Sequence, residues 1–209
     1  MCYSAESSLT AFIIGTSASL YLLLKSKNAT NRAIGLFFIT VNLIQLLEYF
    51  IWIDQECGFL NDFSSKMIYP ILALQLLSII FGTYFFNVSY IPASILKVCS
   101  ILVTFYIINL LYSNYFNNNN KVWCTKPNED KSLQWANHKP NTIESMIYYI
   151  TFFITPFLLK ERFKGIFLLL LGIISWVSTR YENLNSSNSR WCYYSSFMPT
   201  FFVILDQFK

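Results

Sequence analysis

Charged residues are scarce in this chain of 209 residues: only 12% are Asp, Glu, Lys or Arg, whereas 55% are hydrophobic. Soluble domains carry about 25% charged residues. So few polar groups would not cover the surface of a water-soluble protein, and a lipid bilayer is the solvent that fits this composition. The formal charge of +4 is modest and the sequence shows no clustered basic face, which argues against nucleic-acid binding.

Histidine is nearly absent, since His138 is the only one. The seven-helix metal hydrolases need three histidines around the metal, so this class is excluded, and we expect neither a metal nor a cofactor. The final apolar segment has no central lysine for a retinal Schiff base. The chain also has no G-x-S-x-G, H-E-x-x-H or phosphate-binding glycine loop. These absences favour a protein that is not an enzyme.

Apolar segments dominate what is present. A helix needs about 20 apolar residues to cross the hydrocarbon core, and seven segments reach or approach that length. We therefore predict an all-α fold, a bundle of seven transmembrane helices that forms one domain over residues 1–209, with six or eight spans as alternatives. Pro156 and Pro199 lie within two spans and are expected to bend them. The predicted spans are 8–24, 33–53, 67–86, 91–112, 143–159, 165–179 and 194–208, with a long outer loop over 113–142.

Basic residues predict the orientation, because Lys and Arg are enriched in cytoplasmic loops. They concentrate in the first and fifth loops and at the C-terminus, which alternate onto one side of the bundle. The prediction is therefore an extracytoplasmic N-terminus and a cytoplasmic C-terminus. The basic residues on the cytoplasmic side are Lys25, Lys27, Arg32, Lys160, Arg162, Lys164 and Lys209.

Four of the five cysteines fall on the predicted outer side, where disulfides persist. These are Cys2, Cys57, Cys124 and Cys192, whereas Cys99 lies inside the fourth span. Four cysteines allow three pairings. The repeated Trp-Cys dipeptide at 123–124 and 191–192 favours a bond between Cys124 and Cys192 and another between Cys2 and Cys57, so that the disulfides tie the outer loops.

Polar side chains at membrane depth mark a candidate binding site. Gln45, Glu48 and Trp52 follow one another at spacings of three and four, so they share one helical face. We predict an outward-facing cavity with Glu48 close to Arg180, and Gln75 as a hydrogen-bonding group at the midplane. The alternative is that these groups hold helices together.

A second charged pair is predicted at the inner side. Lys97 lies about two turns into the fourth span, and Asp206 lies one turn from the end of the seventh. The two are expected to pair across the bundle. The alternative is that each long side chain reaches out to water on its own.

Three motifs resemble an uncharacterised family of small bacterial membrane proteins. Its members begin Met-Cys-aromatic-Ser-Ala, have Gln-x-x-Glu followed by Trp in the second helix, and carry Trp-Cys-aromatic-aromatic before the last helix. Here these are residues 1–5, Gln45 and Glu48 with Trp52, and residues 191–194. The resemblance implies the same architecture and marks Cys2 and Cys192, besides the helix-two residues, as positions to test. It implies no activity.

Two functions of different classes follow from these features. The first is a small-solute or ion transporter or channel that uses the polar site at Gln45 and Glu48. The second is a structural or assembly protein, such as a viral envelope component or a partner-binding scaffold; a membrane enzyme or a receptor comes third. The expected partners are the lipid bilayer, a small solute or ion, and a second copy of the chain. The expected location is a plasma, internal or viral membrane.

Overall fold

The computed structural model describes residues 4–117, 122–129, 131–136, 148–149, 152–180 and 186–208. Within these ranges the chain forms seven α-helices and one short β-hairpin, besides a π-helical turn at Ser113–Asn117 and a 3₁₀ turn at Thr155–Leu158. The helices are α1 (Ala5–Leu24), α2 (Ala29–Ile53), α3 (Phe59–Phe85), α4 (Ala93–Tyr112), α5 (Arg162–Arg180), α6 (Ser187–Ser196) and α7 (Met198–Gln207). The strands are β1 (Lys126–Pro127) and β2 (Leu133–Gln134).

Polar residues just before the apolar segments start the first two helices. Ser4 accepts a hydrogen bond from the backbone N–H of Ser7 through its hydroxyl, and Asn28 accepts one from the backbone N–H of Asn31. Such N-caps satisfy backbone donors that have no partner within the helix. Helices therefore begin at these polar residues, a few positions ahead of the predicted spans.

Five helices among the described residues are long and apolar enough to cross a membrane. This confirms an all-helical chain that is compatible with a multi-pass membrane protein. The fifth predicted span, 143–159, lies partly outside the described residues, at 143–147 and 150–151, so the count of seven spans stays a prediction. The five segments are Ala5–Leu24, Ala29–Ile53, Phe59–Phe85, Ala93–Tyr115 and Arg162–Thr179.

The last predicted span, 194–208, is not one continuous helix. The chain breaks at Phe197 into α6 and α7, each of 10 residues. Pro199 has no backbone N–H to continue the hydrogen-bonding ladder, and its ring clashes with the preceding turn. The break lies two residues before Pro199, the residue expected to bend this span, and each of the two helices is shorter than the about 20 residues that cross a bilayer.

Helix α2 is the most buried of the five long helices, with 67% of its apolar window inside the protein. It packs between α1 and α3, and α1 approaches so closely that only glycine fits at the crossing. A Cβ atom on Gly15 would lie 2.3 Å from the carbonyl oxygen of Ser196 and 2.5 Å from Oδ1 of Asn42. By contrast, α4 packs chiefly against α3, and only 6% of its window is buried.

Contacts between loops define two ends of the bundle. At the first, the basic end, Asn28 donates to Oε1 of Glu161 at 2.7 Å and Asn31 donates to Oδ1 of Asp206 at 2.6 Å. These bonds join the first loop to the start of α5 and to the end of α7. At the opposite end lies the cap, which we define as residues 122–129 and 131–136. Which end faces the cytoplasm stays a prediction.

Candidate functional site

The carboxylate of Glu48 is fully buried at the junction of α2, α6 and the cap. Its Oε2 accepts a hydrogen bond from Nε2 of Gln45 at 2.8 Å, one turn away on α2. Its Oε1 accepts one from Nε1 of Trp135 at 2.9 Å, and the hydroxyl of Ser189 on α6 also contacts it. Three elements that are distant in sequence therefore provide donors to one carboxylate.

Trp135 reaches Glu48 because the cap folds as a hairpin over the helix ends. Lys126 pairs with Gln134 in the antiparallel ladder of β1 and β2. The turn is closed by Asn128, whose side-chain oxygen accepts from the backbone N–H of Ser132 at 3.1 Å. The hairpin aims Trp135 down into an apolar cluster of α2 and α3 side chains. Its indole N–H then needs a buried acceptor, which Glu48 provides.

The start of α3 holds the other strand of the cap. Asn61 donates from its amide to the carbonyl of Thr125 at 3.0 Å and accepts from the N–H of Thr125 at 2.9 Å. The hydroxyls of Ser65 and Thr125 lie 2.7 Å apart. The Asn61 side chain therefore pairs with the backbone of Thr125 as a neighbouring strand would. It gives hydrogen-bond partners to buried polar groups that would otherwise have none.

Asp54 organises the turn that leads into α3. Its carboxylate accepts hydrogen bonds from the backbone N–H groups of Asn61 at 3.0 Å and Gly58 at 2.9 Å. These bonds hold the pKa of Asp54 below its usual value, because they favour the charged form. The turn thereby places Cys57, at a left-handed φ of 60°, next to the cap.

Arg190 anchors the cap from a third side. This side chain on α6 is only 2% exposed, and its Nη2 donates to the hydroxyl of Ser132 at 3.2 Å. The cap is therefore fastened to α2, α3 and α6, each through a buried polar contact. We did not expect Arg190 from the sequence, where it follows a stretch of Ser and Asn that is typical of a loop.

The predicted site residues only partly come together. Gln45 and Glu48 do meet, whereas Trp52 is half-buried and packs against the apolar cluster around Trp135. Gln75 is buried on α3 with a different partner, because its Oε1 accepts from the hydroxyl of Tyr148 at 2.6 Å. The side chain of Arg180 lies outside the described part of the structure, so its pairing with Glu48 stays a prediction.

The predicted inner pair of Lys97 and Asp206 is wrong. Lys97 is exposed on α4, and its ammonium lies 5.6 Å from the ring centroid of Tyr84. Asp206 accepts from Asn31 instead. The physical reason is the position of α4 at the periphery, where it packs chiefly against α3 and leaves Lys97 at the surface.

The predicted cysteine pairing is also wrong. Cys57 and Cys124 lie at disulfide-bonding distance, with Cα atoms 5.3 Å apart, which excludes the expected bonds of Cys57 to Cys2 and of Cys124 to Cys192. Cys192 is buried on α6 as a free thiol, and Cys2 lies outside the described residues. The hydrogen bonds between Asn61 and Thr125 decide this pairing, because they set the neighbouring Cys124 beside the turn at Cys57.

Removal of the Cys57–Cys124 bond is expected to lower the free energy of unfolding by about 2 kcal/mol. The bond closes a sequence separation of 67 residues. Most of that loop is α3 and α4, which are apolar enough to span a membrane and in one would stay helical on unfolding; the entropy regained would then be smaller than for a water-soluble chain. The measurement is denaturant unfolding of the Cys57→Ser/Cys124→Ser variant in detergent micelles.

The matched control for that experiment is Cys99→Ser, since Cys99 is a free thiol on α4. It is expected to unfold close to the wild type. An unchanged unfolding midpoint for the double variant would show that hydrogen bonds alone fix the cap.

Two residues at the heart of the site carry weak sequence signals. Trp135 lies in a long polar loop, where a single tryptophan does not stand out, although tryptophan rarely stays in water without a partner surface. Ser189 lies in a run of Ser and Asn residues with no periodicity.

Searches against protein-family models, curated proteins and solved structures found no match. The geometry of the chain itself must therefore carry its functional interpretation.

Proposed function

We propose that the protein is an integral membrane protein with a structural or assembly role, in which the helix bundle holds the cap as a rigid surface for partners. One observation carries the proposal: Glu48 is fully buried, and both of its carboxylate oxygens accept hydrogen bonds from protein donors. A transport site exchanges its partners with solute, ion or water. At Glu48 such an exchange would first have to displace Gln45 and Trp135.

The cost of that exchange argues against transport or conduction at Glu48. Each hydrogen bond to a charged group contributes about 1.5–3 kcal/mol, and a donor left behind in a dry interior costs about as much again. The tethers of the cap, which include Asn61 and Arg190, oppose the withdrawal of Trp135. Such an arrangement favours a closed, stable cap over a gate.

The lipid-facing surface of α4 supports lateral assembly. Its exposed apolar side chains extend along the whole helix and have few contacts within the chain. A second copy or another membrane protein would pack against this surface in place of lipid, with van der Waals contact as the driving force. The exposed large apolar residues of α4 are Ile95, Val98, Ile101, Leu102, Phe105, Tyr106, Ile108 and Tyr112.

The test is the native mass of the protein extracted in mild detergent. A structural role predicts a stable homo-oligomer or partner complex, which Trp135→Phe weakens by loosening the cap. The control is Trp52→Phe, the same substitution at an indole outside the Glu48 hydrogen bonds, which should leave the complex unchanged.

A flux assay provides the contrary test. The proposal expects wild-type protein in liposomes to conduct no more protons or small ions than empty liposomes. A monomeric wild type would contradict the assembly role. Glu56→Gln, on the exposed turn before α3, is the control for Glu48→Gln. If the wild type conducts ions, and Glu48→Gln abolishes this flux while Glu56→Gln does not, the protein is a transporter or channel instead.

A further inference from the structure

Three cations lie over aromatic rings at the basic end of the bundle. All three rings belong to the short segment 84–90 that ends α3 and leads into α4, whereas the cations come from α2, α4 and α5. A cation within about 6 Å of a ring centroid is attracted by the negative face of the ring. The pairs are Arg32 over Phe86 at 4.9 Å, Lys97 over Tyr84 at 5.6 Å and Arg162 over Tyr90 at 5.8 Å.

Backbone hydrogen bonds make this segment rigid. The N–H of Lys160 donates to the carbonyl of Val88 at 2.8 Å, and the N–H of Tyr90 donates to the carbonyl of Leu158 at 3.1 Å. These bonds form a single antiparallel bridge between Ser89 and Leu159. The loops before α4 and before α5 therefore form one unit. Together with Arg32 and Lys97 we call it the basic platform, and it comprises residues 84–92 and 158–162 and these two side chains.

The acidic groups nearby do not cancel the charge of the platform. Glu161 pairs with Lys164 at 2.9 Å. Burial acts to raise the pKa of Glu161, but hydrogen bonds from Lys164, Asn28 and Thr30 outweigh it and hold the pKa below its usual value. Asp206 accepts from the neutral amide of Asn31, which does not offset its charge, but this one carboxylate does not balance the six exposed cations at this end. The exposed basic residues at this end are Lys25, Lys27, Arg32, Lys97, Lys160 and Arg162.

We propose that the basic platform binds the headgroups of anionic phospholipids in the adjacent leaflet, with Arg32 and Arg162 contacting headgroup phosphates. The rings of Phe86 and Tyr90 lie beside the two guanidiniums, and Nε of Arg32 also donates to the carbonyl of Leu23 at 3.1 Å. These contacts orient Arg32 and leave its two Nη groups for the planar, two-point contact that phosphate favours. Basic residues beside a membrane are attracted to anionic lipids, and prior orientation lowers the entropy lost on binding.

Exposed aromatic rings favour a lipid rather than a soluble phosphate. Phe85, within the platform, is 65% exposed and Phe163, directly after it, is 69% exposed, and each lies at the end of an apolar helix. Aromatic side chains at such positions settle at the boundary between headgroups and acyl chains. Phosphate groups of lipids are concentrated at that same level, whereas soluble phosphate is not.

The test is the thermal shift of detergent-solubilised protein on addition of phosphatidylglycerol or phosphatidylcholine. Phosphatidylglycerol should raise the Tm of the wild type by about 5 °C relative to phosphatidylcholine, because it binds the folded state. The Arg32→Gln/Arg162→Gln variant should lose most of that difference. The control removes two charges from the cap, Lys126→Gln/Lys131→Asn, with asparagine chosen for the positive φ of Lys131, and should keep it.

Two further measurements keep the proposal falsifiable. The wild-type shift should shrink as salt rises from about 0.05 to 0.5 M, since exposed charges are screened; this arm holds even where the double variant fails to fold. An equal rise in Tm with inorganic phosphate would show that the platform binds a soluble anion rather than a lipid, and would overturn the proposal. An equal shift with phosphatidylcholine, or one retained in the double variant, would also overturn it.

Discussion

Glu48→Ala is expected to lower the free energy of unfolding by about 4 kcal/mol and to release the cap from the helices. The substitution leaves the indole N–H of Trp135 and the amide of Gln45 without their acceptor in a buried site. Each stranded donor costs about 1–3 kcal/mol, and the removed side chain leaves a cavity besides. Glu48→Gln keeps one acceptor oxygen, so about half of the loss is expected.

Two measurements follow the release of the cap. Denaturant unfolding in micelles reports the free energy, and limited trypsin digestion reports the exposure of the chain after Lys131, since the bond between Lys126 and Pro127 resists trypsin. Glu56→Ala is the matched control, because Glu56 is an exposed carboxylate on the turn before α3, next to Cys57. It should leave both measurements unchanged.

Equal stability of Glu48→Ala and Glu56→Ala would mean that the Glu48 hydrogen bonds do not hold the cap. Faster cleavage at the cap without a loss of global stability would place the effect in local opening. The first result would shift the anchoring role to Asn61 and Arg190, whereas the second would keep Glu48 as an anchor of the cap alone.

Gly15→Ala is expected to cost about 3 kcal/mol, the second largest effect. A methyl group there would lie 2.3 Å from a backbone carbonyl of α6 and 2.5 Å from the side chain of Asn42. The carbonyl belongs to Ser196, the last residue of α6, so relief of this contact requires α1 and α6 to move apart. That movement also strains the hydrogen bond of 3.2 Å from Asn42 to the hydroxyl of Ser19.

The matched control is Gly172→Ala, the same substitution in α5. There the nearest atoms to an added Cβ are ring carbons of Phe152 and Phe153 at 3.6 Å, which is ordinary contact. This variant is expected to fold with wild-type stability or slightly better, since alanine favours the helix. Equal stability of both variants in denaturant unfolding would disprove the close packing of α1 against α6.

Local patterns predicted much of the site because helical periodicity is a short-range property. The spacing of Gln45 and Glu48 places both on one face of α2, and their hydrogen bond follows from that spacing. The break near Pro199 is equally local, since it depends on a missing N–H. The burial of Glu48 could not be predicted in this way, because it depends on Trp135, which lies 87 residues from Glu48 along the chain.

The sequence by itself determined that this chain is an all-helical protein suited to a membrane, where its long helices run, and that Gln45 and Glu48 share a face. Tertiary structure alone decided three matters: that Glu48 is closed by Trp135, that Cys57 meets Cys124, and that cations of α2, α4 and α5 gather on one platform. The physical reason is the range of the interactions. Apolar length and helical period act within a few turns, whereas loop placement depends on polar groups that find partners across the whole fold.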